Sequence, residues 1–125
     1  MNIAFTEKFK GAILTGNKVH TLRTDAEGYY QPGVALNMVL EHTQLFPDVF
    51  CEAKVVSVQV VEICYGGATP DEVLAPIIKV DGKALTDAEV LEFVQCDGFA
   101  GVSEFMEWFS KDCTKKLIHW TNKRY

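Results

Sequence analysis

Apolar residues near the start of the chain recur at helical spacing: Phe5, Phe9, Ala12 and Ile13 fall on one face. Thr6 can cap the start and Gly16 can close the end in a left-handed turn, so the pattern predicts a short amphipathic helix over 6–15. Lys18 to Arg23 then alternates and reads as a strand. Residues 24–28 form a loop, and Tyr29-Tyr30-Gln31-Pro32-Gly33 turns the chain. Val34 to Thr43 alternates again, with Val34, Leu36, Met38 and Leu40 on one side, and predicts a half-buried strand. Phe46-Pro47-Asp48 suits a hairpin-like connection into Phe50 to Cys64, a valine-rich strand long enough to bend. Ile77 to Leu85 around Asp81-Gly82 is the clearest hairpin, because Asp-Gly suits a two-residue primed turn. Thr86-Asp87-Ala88-Glu89 has the form of a capping box opening a helix through Val94. Asp97-Gly98-Phe99 breaks that helix. Ser103 can cap another, with Phe105, Met106, Trp108 and Phe109 as its apolar face, and Leu117 to Trp120 closes the chain as a strand. Strands and three short helices without regular alternation predict an α+β fold with a mostly antiparallel sheet or small β-barrel.

Composition narrows the class. A chain of 125 residues with 48% hydrophobic and 23% charged residues is expected to be one globular domain, 1–125. A domain of that length buries roughly two-thirds of its unfolded surface, so it needs no staples. No apolar run is long enough for a bilayer span, so no membrane partner is expected. Met1 to Lys8 lacks a basic region followed by an apolar one, so no signal peptide is expected and the expected compartment is cytoplasmic. Cys51, Cys64, Cys96 and Cys113 form no C-x-x-C pair, and His20, His42 and His119 have no ligand spacing to them or to one another. Reduced, mostly buried thiols are therefore expected, with no metal and no cofactor. Gly66-Gly67 lacks the frame of a phosphate cradle.

Charge changes the picture more than its total does. The chain carries −5 overall, but residues 1–24 carry +3, residues 113–125 carry +4 and the stretch between carries −12. A fold that joins the two ends would place a basic patch on an acidic body, enough for local phosphate contacts. Solvated terminal charges are the plainer alternative.

The densest polar cargo lies in Gly16-Asn17-Lys18-Val19-His20-Thr21-Leu22-Arg23. Strict alternation would set Lys18 and Thr21 on opposite faces, unless a bulge or twist brings them together. Together, a threonine hydroxyl could attack a carbonyl while a lysine amine of lowered pKa takes its proton. Apart, Lys18 is a solvated strand lysine. Arg23 suits an anion clamp or a salt bridge with Asp25 or another acid. Asp97 suits a turn former or a carboxylate orienting Lys18 or a substrate amide. His119 and Trp120 stand in the basic closing segment as structural residues or ligand contacts, and an exposed Trp120, Tyr29 or Tyr30 could stack on a base.

Phe5 and Phe9, Gly16-x-Lys18-x-x-Thr21-x-Arg23 and Tyr30-x-Pro32-Gly33 resemble the opening of ASCH domains. Asp97-Gly98-Phe99 with Phe105-x-x-Trp108-Phe109, and the closing Lys116-Leu117-Ile118-His119-Trp120-Thr121, extend the resemblance over nearly the whole chain. It implies a PUA-like β-barrel flanked by short helices, with the motif strand beside a cleft that binds RNA or a nucleotide. Lys18, Thr21, Arg23, Tyr30, Asp97, His119 and Trp120 are then the candidate ligand contacts. One branch of the family hydrolyses N4-acetylcytidine with a lysine, a threonine three residues on and a downstream glutamate. Lys18 and Thr21 match the first two positions and Asp97 falls near the third, so the alternative expectation is a small amidohydrolase with Thr21 as nucleophile and Lys18 as base.

Overall fold

The computed structural model describes residues 1–41, 48–73 and 75–125. In chain order these form β1 (Asn2–Phe5), α1 (Glu7–Leu14), β2 (His20–Arg23), β3 (Ala35–Leu40), β4 (Val49–Lys54) and β5 (Ser57–Cys64). A single 3-10 turn at Pro70–Glu72 leads to β6 (Ile77–Val80), β7 (Lys83–Ala84), α2 (Asp87–Cys96), α3 (Val102–Trp108) and β8 (Cys113–His119). The Phe46-Pro47-Asp48 connection, His42 and Thr43 fall wholly or partly outside the described residues.

The fold is α+β and its sheets are mostly antiparallel. One sheet has the order β1-β3-β4 and the other β2-β8-β5-β6-β7. Among the described residues these ladders stay two sheets and close no barrel. They share the continuous stretch from β4 to β5, which resolves the single long strand expected from the valine pattern. At its corner Val55 N–H donates to Val34 O at 2.9 Å, whereas Val56 N–H donates to His119 O at 2.8 Å. Adjacent residues thus bond into different sheets, and the bend is the crossing.

β1 escaped the hydrophobic pattern. Only Ile3 and Phe5 of its four residues are buried, and it pairs in parallel with β3, Phe5 lying opposite Leu40. A run that short gets its strand character from a distant partner rather than from local propensity.

Four local expectations held. Asp81 and Gly82 both take positive φ, 50° and 83°, as a primed turn requires. Thr86 and Glu89 form the reciprocal capping box at α2. Gly16 takes the left-handed conformation at φ 80° after α1, and the break at Asp97-Gly98-Phe99 falls where α2 ends, with Gly98 at φ 97°. Three others shift. Lys18 precedes β2 instead of lying on it. The last helix starts at Val102 with Gly101 at its N-cap, so Ser103 sits inside the first turn. β8 starts earlier than expected and stops at His119, leaving Trp120 just beyond it.

Phe5, Leu36, Val61, Ile63, Phe93, Phe105, Leu117 and Ile118 are all 2% exposed or less and belong to one packed cluster. Each such side chain contributes about 1.5–3 kcal/mol by leaving water. α2 and α3 supply Val90, Phe93, Val94, Phe105 and Met106 to it. The core thereby holds the ends of α1 and α2 close together, and the candidate site lies between them.

Candidate active site

Two helix endings of the same design build the site. After α1, Gly16 N–H donates to Ile13 O and Asn17 N–H to Ala12 O. After α2, Gly98 N–H donates to Gln95 O and Phe99 N–H to Val94 O. Both are Schellman closures, which satisfy the last carbonyls and turn the chain sharply. Lys18 N–H also donates to Ala12 O at 3.0 Å, and Val19 N–H to Cys96 O at 2.8 Å. Lys18 therefore remains wrapped on the end of α1, and strand alternation does not govern it. A Cβ on Gly98 would lie 2.8 Å from Phe9 Cδ1 and 3.0 Å from Lys18 Cδ, so the Lys18 stem runs past the one position at the turn that has no side chain.

Lys18 is 2% exposed. Its Nζ donates to the backbone oxygen of Asp97 at 2.5 Å and lies 3.4 Å from Asp97 Oδ1. It also lies 4.5 Å from the centre of the Phe9 ring. Burial brings the amine down to about 8, against the opposing pull of the Asp97 carboxylate; Arg23 and Lys8 push the same way as burial. Asp97 is the C-cap of α2, so Lys18 meets a helix carboxyl end, where a cation is favoured.

Asp97 is itself held from a second side. His20 Nδ1 is 3.0 Å from Asp97 Oδ1, and His20 Nε2 is 2.7 Å from the Tyr125 hydroxyl. Burial lowers the His20 pKa from its ordinary value, with Asp97 opposing. Burial also raises that of the Tyr125 hydroxyl.

Thr21 is 5% exposed. With Lys18, Arg23 and Asp97 it lines a cavity of about 260 Å³, which Glu41 and Trp108 also border. That volume is near the lower end of small-molecule sites. Arg23 donates to Ala4 O at 2.6 Å and stacks 4.8 Å from the centre of the Phe5 ring. Burial lowers its pKa from the ordinary value, with Tyr30 and Asp97 opposing, yet a guanidinium stays charged throughout. Trp108 is 52% exposed and meets Phe9 and Phe99 edge-on, leaving an aromatic surface beside the cavity.

Four of the residues singled out in the sequence thus meet at one cavity. Tyr30, His119 and Trp120 do not border it. Tyr30 lines a separate depression with Lys116 and Arg124. His119 is fully buried, its Nε2 2.9 Å from Gln59 Oε1. Trp120 packs edge-on against Phe5. Glu41 and Tyr125 were not singled out in the sequence, and Trp108 and His20 were read there without a role in the site. For Trp108 the Phe105-x-x-Trp108-Phe109 run was a signal, since a helix of seven residues cannot bury every bulky side chain of such a run. Nothing local marked Tyr125.

The basic ends do meet, with Arg23 opposite Lys116 in the β2–β8 ladder. The patch is partly neutralised. Lys8 pairs with Glu104, Lys123 with Glu92, and Arg124 lies 3.9 Å from Asp81. Among the described residues no cluster of three or more His, Cys, Asp or Glu is arranged to hold a metal. The four cysteines are free and half-buried. No helix among the described residues is long and apolar enough to cross a membrane.

Comparison with known proteins adds a distant similarity to one enzyme class, the nucleoside amidohydrolases. Over 57 residues the chain is 40% identical to the N(4)-acetylcytidine amidohydrolase of Edwardsiella ictaluri (strain 93-146). The match covers 46% of this chain and 50% of that protein, so the similarity spans about half the length of each. No family model matches the chain, and no solved structure matches it.

Proposed function

We propose that residues 1–125 form one ASCH-type domain of PUA-like descent that hydrolyses an N4-acylated cytidine or a close relative. The observation that carries this reading is the buried Lys18 amine, brought down to about 8, beside Asp97 in the cavity that Thr21 lines. An ordinary surface lysine is a poor base near neutrality, whereas one with a pKa close to the working pH is well matched to proton transfer. The partial identity to an N(4)-acetylcytidine amidohydrolase points to the same chemistry.

In this mechanism Thr21 Oγ attacks the amide carbonyl while the neutral Lys18 amine takes its proton. The tetrahedral species collapses, and Lys18 returns the proton to the departing N4 amine. An acyl ester remains on Thr21. Water, deprotonated by Lys18, cleaves that ester to the carboxylic acid and restores the hydroxyl. Asp97 keeps the amine aimed into the cavity, and its Oδ1 reaches to 3.4 Å although it is an aspartate where the family carries a glutamate. Arg23 offers charge to substrate oxygens and Trp108 a face to the base. The direct test is incubation with N4-acetylcytidine, following cytidine and acetate. Turnover by the native protein that Thr21→Ala abolishes is the expected result; no turnover, or equal turnover by the variant, refutes the mechanism.

A second reading is binding of RNA or a nucleotide without chemistry. Arg23 facing Lys116 across β2–β8, with Lys115 on the cavity wall, supports it. Affinity for short RNAs that Lys18→Ala with Arg23→Ala removes, in a protein inert toward N4-acetylcytidine, would establish it instead.

A further inference from the structure

The cavity accounts for Lys18 and Asp97 but not for the two side chains behind them. We infer that His20 and Tyr125 are positioning residues, a hydrogen-bonded chain in which the Nδ1–H of a neutral His20 donates to Asp97 and so holds that carboxylate beside the Lys18 amine.

The hydrogen-bonded chain is one continuous path. The Tyr125 hydroxyl is 2.7 Å from His20 Nε2, His20 Nδ1 is 3.0 Å from Asp97 Oδ1, and Asp97 Oδ1 is 3.4 Å from Lys18 Nζ. Its direction follows from what each group can donate. A carboxylate only accepts, so Nδ1 carries the single proton of a neutral ring and Nε2 is left to accept from the Tyr125 hydroxyl, which the Cys96 side chain also meets. Neither ring nitrogen is idle, and the ring is fixed between Phe93 and His119 at centroid distances of 5.3 Å each.

The far end is equally fixed. Tyr125 N–H donates to Gln59 Oε1 at 3.0 Å, and Gln59 Nε2 donates to the Tyr125 backbone oxygen at 2.7 Å. The Gln59 amide thus clamps the Tyr125 backbone, and its Nε2 also donates to Asp81 Oδ2 at 3.0 Å.

The chemical consequence concerns Lys18. A buried carboxylate needs donors, and without His20 its remaining side-chain donor is the Lys18 ammonium. Removing His20 should therefore make Lys18 hold its proton more tightly. The titratable groups facing His20 are Asp97, Lys18, Lys123, His119 and Tyr125. Those facing Lys18 are Asp97, Arg23, Lys8 and, through Asp97, His20. Cys96 and Glu92 lie near the Tyr125 hydroxyl.

Two measurements need no turnover, so they stand or fall apart from the hydrolase reading, on which only the kinetic consequence rests. Nitrogen NMR of histidine-labelled native protein should show His20 neutral with its proton on Nδ1 from about pH 7 to about pH 9. A proton on Nε2, or an imidazolium, overturns the proposal. A carbon NMR titration of Lys18 Cε should move upward by about one pH unit in His20→Phe, because one donor to the carboxylate is lost. It should return toward the native value in His20→Asn, which restores a donor. Tyr125→Phe should move it the same way by less, since the imidazole becomes a weaker donor when its own partner is gone. An unmoved titration in folded His20→Phe overturns the proposal, and if that variant does not fold, the native tautomer decides. With the hydrolase active, the one-unit shift appears as an about tenfold lower kcat at neutral pH with KM held.

Discussion

Two regions of this molecule handle charge in opposite ways. Between the helix ends, Lys18, His20 and Asp97 are buried and each has a fixed partner. Beside Tyr30, Lys116 and Arg124 border an open depression, and Arg124 keeps only a loose 3.9 Å approach to Asp81. Water screens the second set, so its charges exert weak and undirected forces. The first set is out of reach of that screening, so its partners, not the solvent, decide where protons sit. A shifted lysine belongs to the first kind of surroundings and not to the second.

The largest effect that tests this contrast is removal of the proposed base. Lys18→Met should lower N4-acetylcytidine turnover by about 10³-fold or more. The same change should also lower stability to urea, by about 3 kcal/mol, because it removes one partner of a buried pair and leaves the Asp97 carboxylate with His20 as its side-chain donor. Turnover that survives would place the chemistry elsewhere.

The next test is pH. A lysine acts as a base only when neutral, so under the proposed mechanism turnover should climb as pH rises and level off above about 8. A profile flat through that region would remove Lys18 from the base role.

A third test reads stability on the buried side. Burial, then the charges of His20, Arg124 and Lys123, bring the buried His119 down to about 4, below its ordinary 6.5. A depressed value means that the unfolded chain binds the proton first. The contribution of His119 is therefore complete above about 6.5 and is lost as pH falls through about 4. His20, also lowered, acts in the same direction. Urea midpoints should fall over that interval, and His119→Gln should flatten the decline.

The smallest effects belong to the open side. Lys116→Ala and Arg124→Ala should change stability by no more than about 0.5 kcal/mol. N4-acetylcytidine turnover should stay within a factor of about three. A large loss of RNA affinity in the same variants would shift weight to the binding reading.

Much of the frame was legible in the chain. The Asp81-Gly82 turn, the capping box at Thr86 and the glycine after α1 are local devices, written in adjacent residues. β1 and the division into two sheets were not, since a four-residue strand and a corner between Val55 and Val56 are set by partners far along the chain. The site was legible in part for the same reason. Lys18, Thr21 and Arg23 are close in sequence, and Asp97 stood out as a helix break. That Lys18 and Thr21 border one cavity could not be read from alternation, because a residue still wrapped on a helix end is free of the strand's two-residue period. Glu41 and Tyr125 approach the site only through tertiary pairing, of β3 with β1 and of the closing segment with Gln59.

Gly98 does not line the cavity and has no side chain to act there. It nonetheless has a positive φ of 97° and a Phe9 carbon 2.8 Å from where a Cβ would stand. In a saturation library selected for activity, position 98 should return glycine almost alone, as uniformly as position 18 returns lysine. A reader of that library would score both alike, although position 98 contributes only the room through which the Lys18 stem passes.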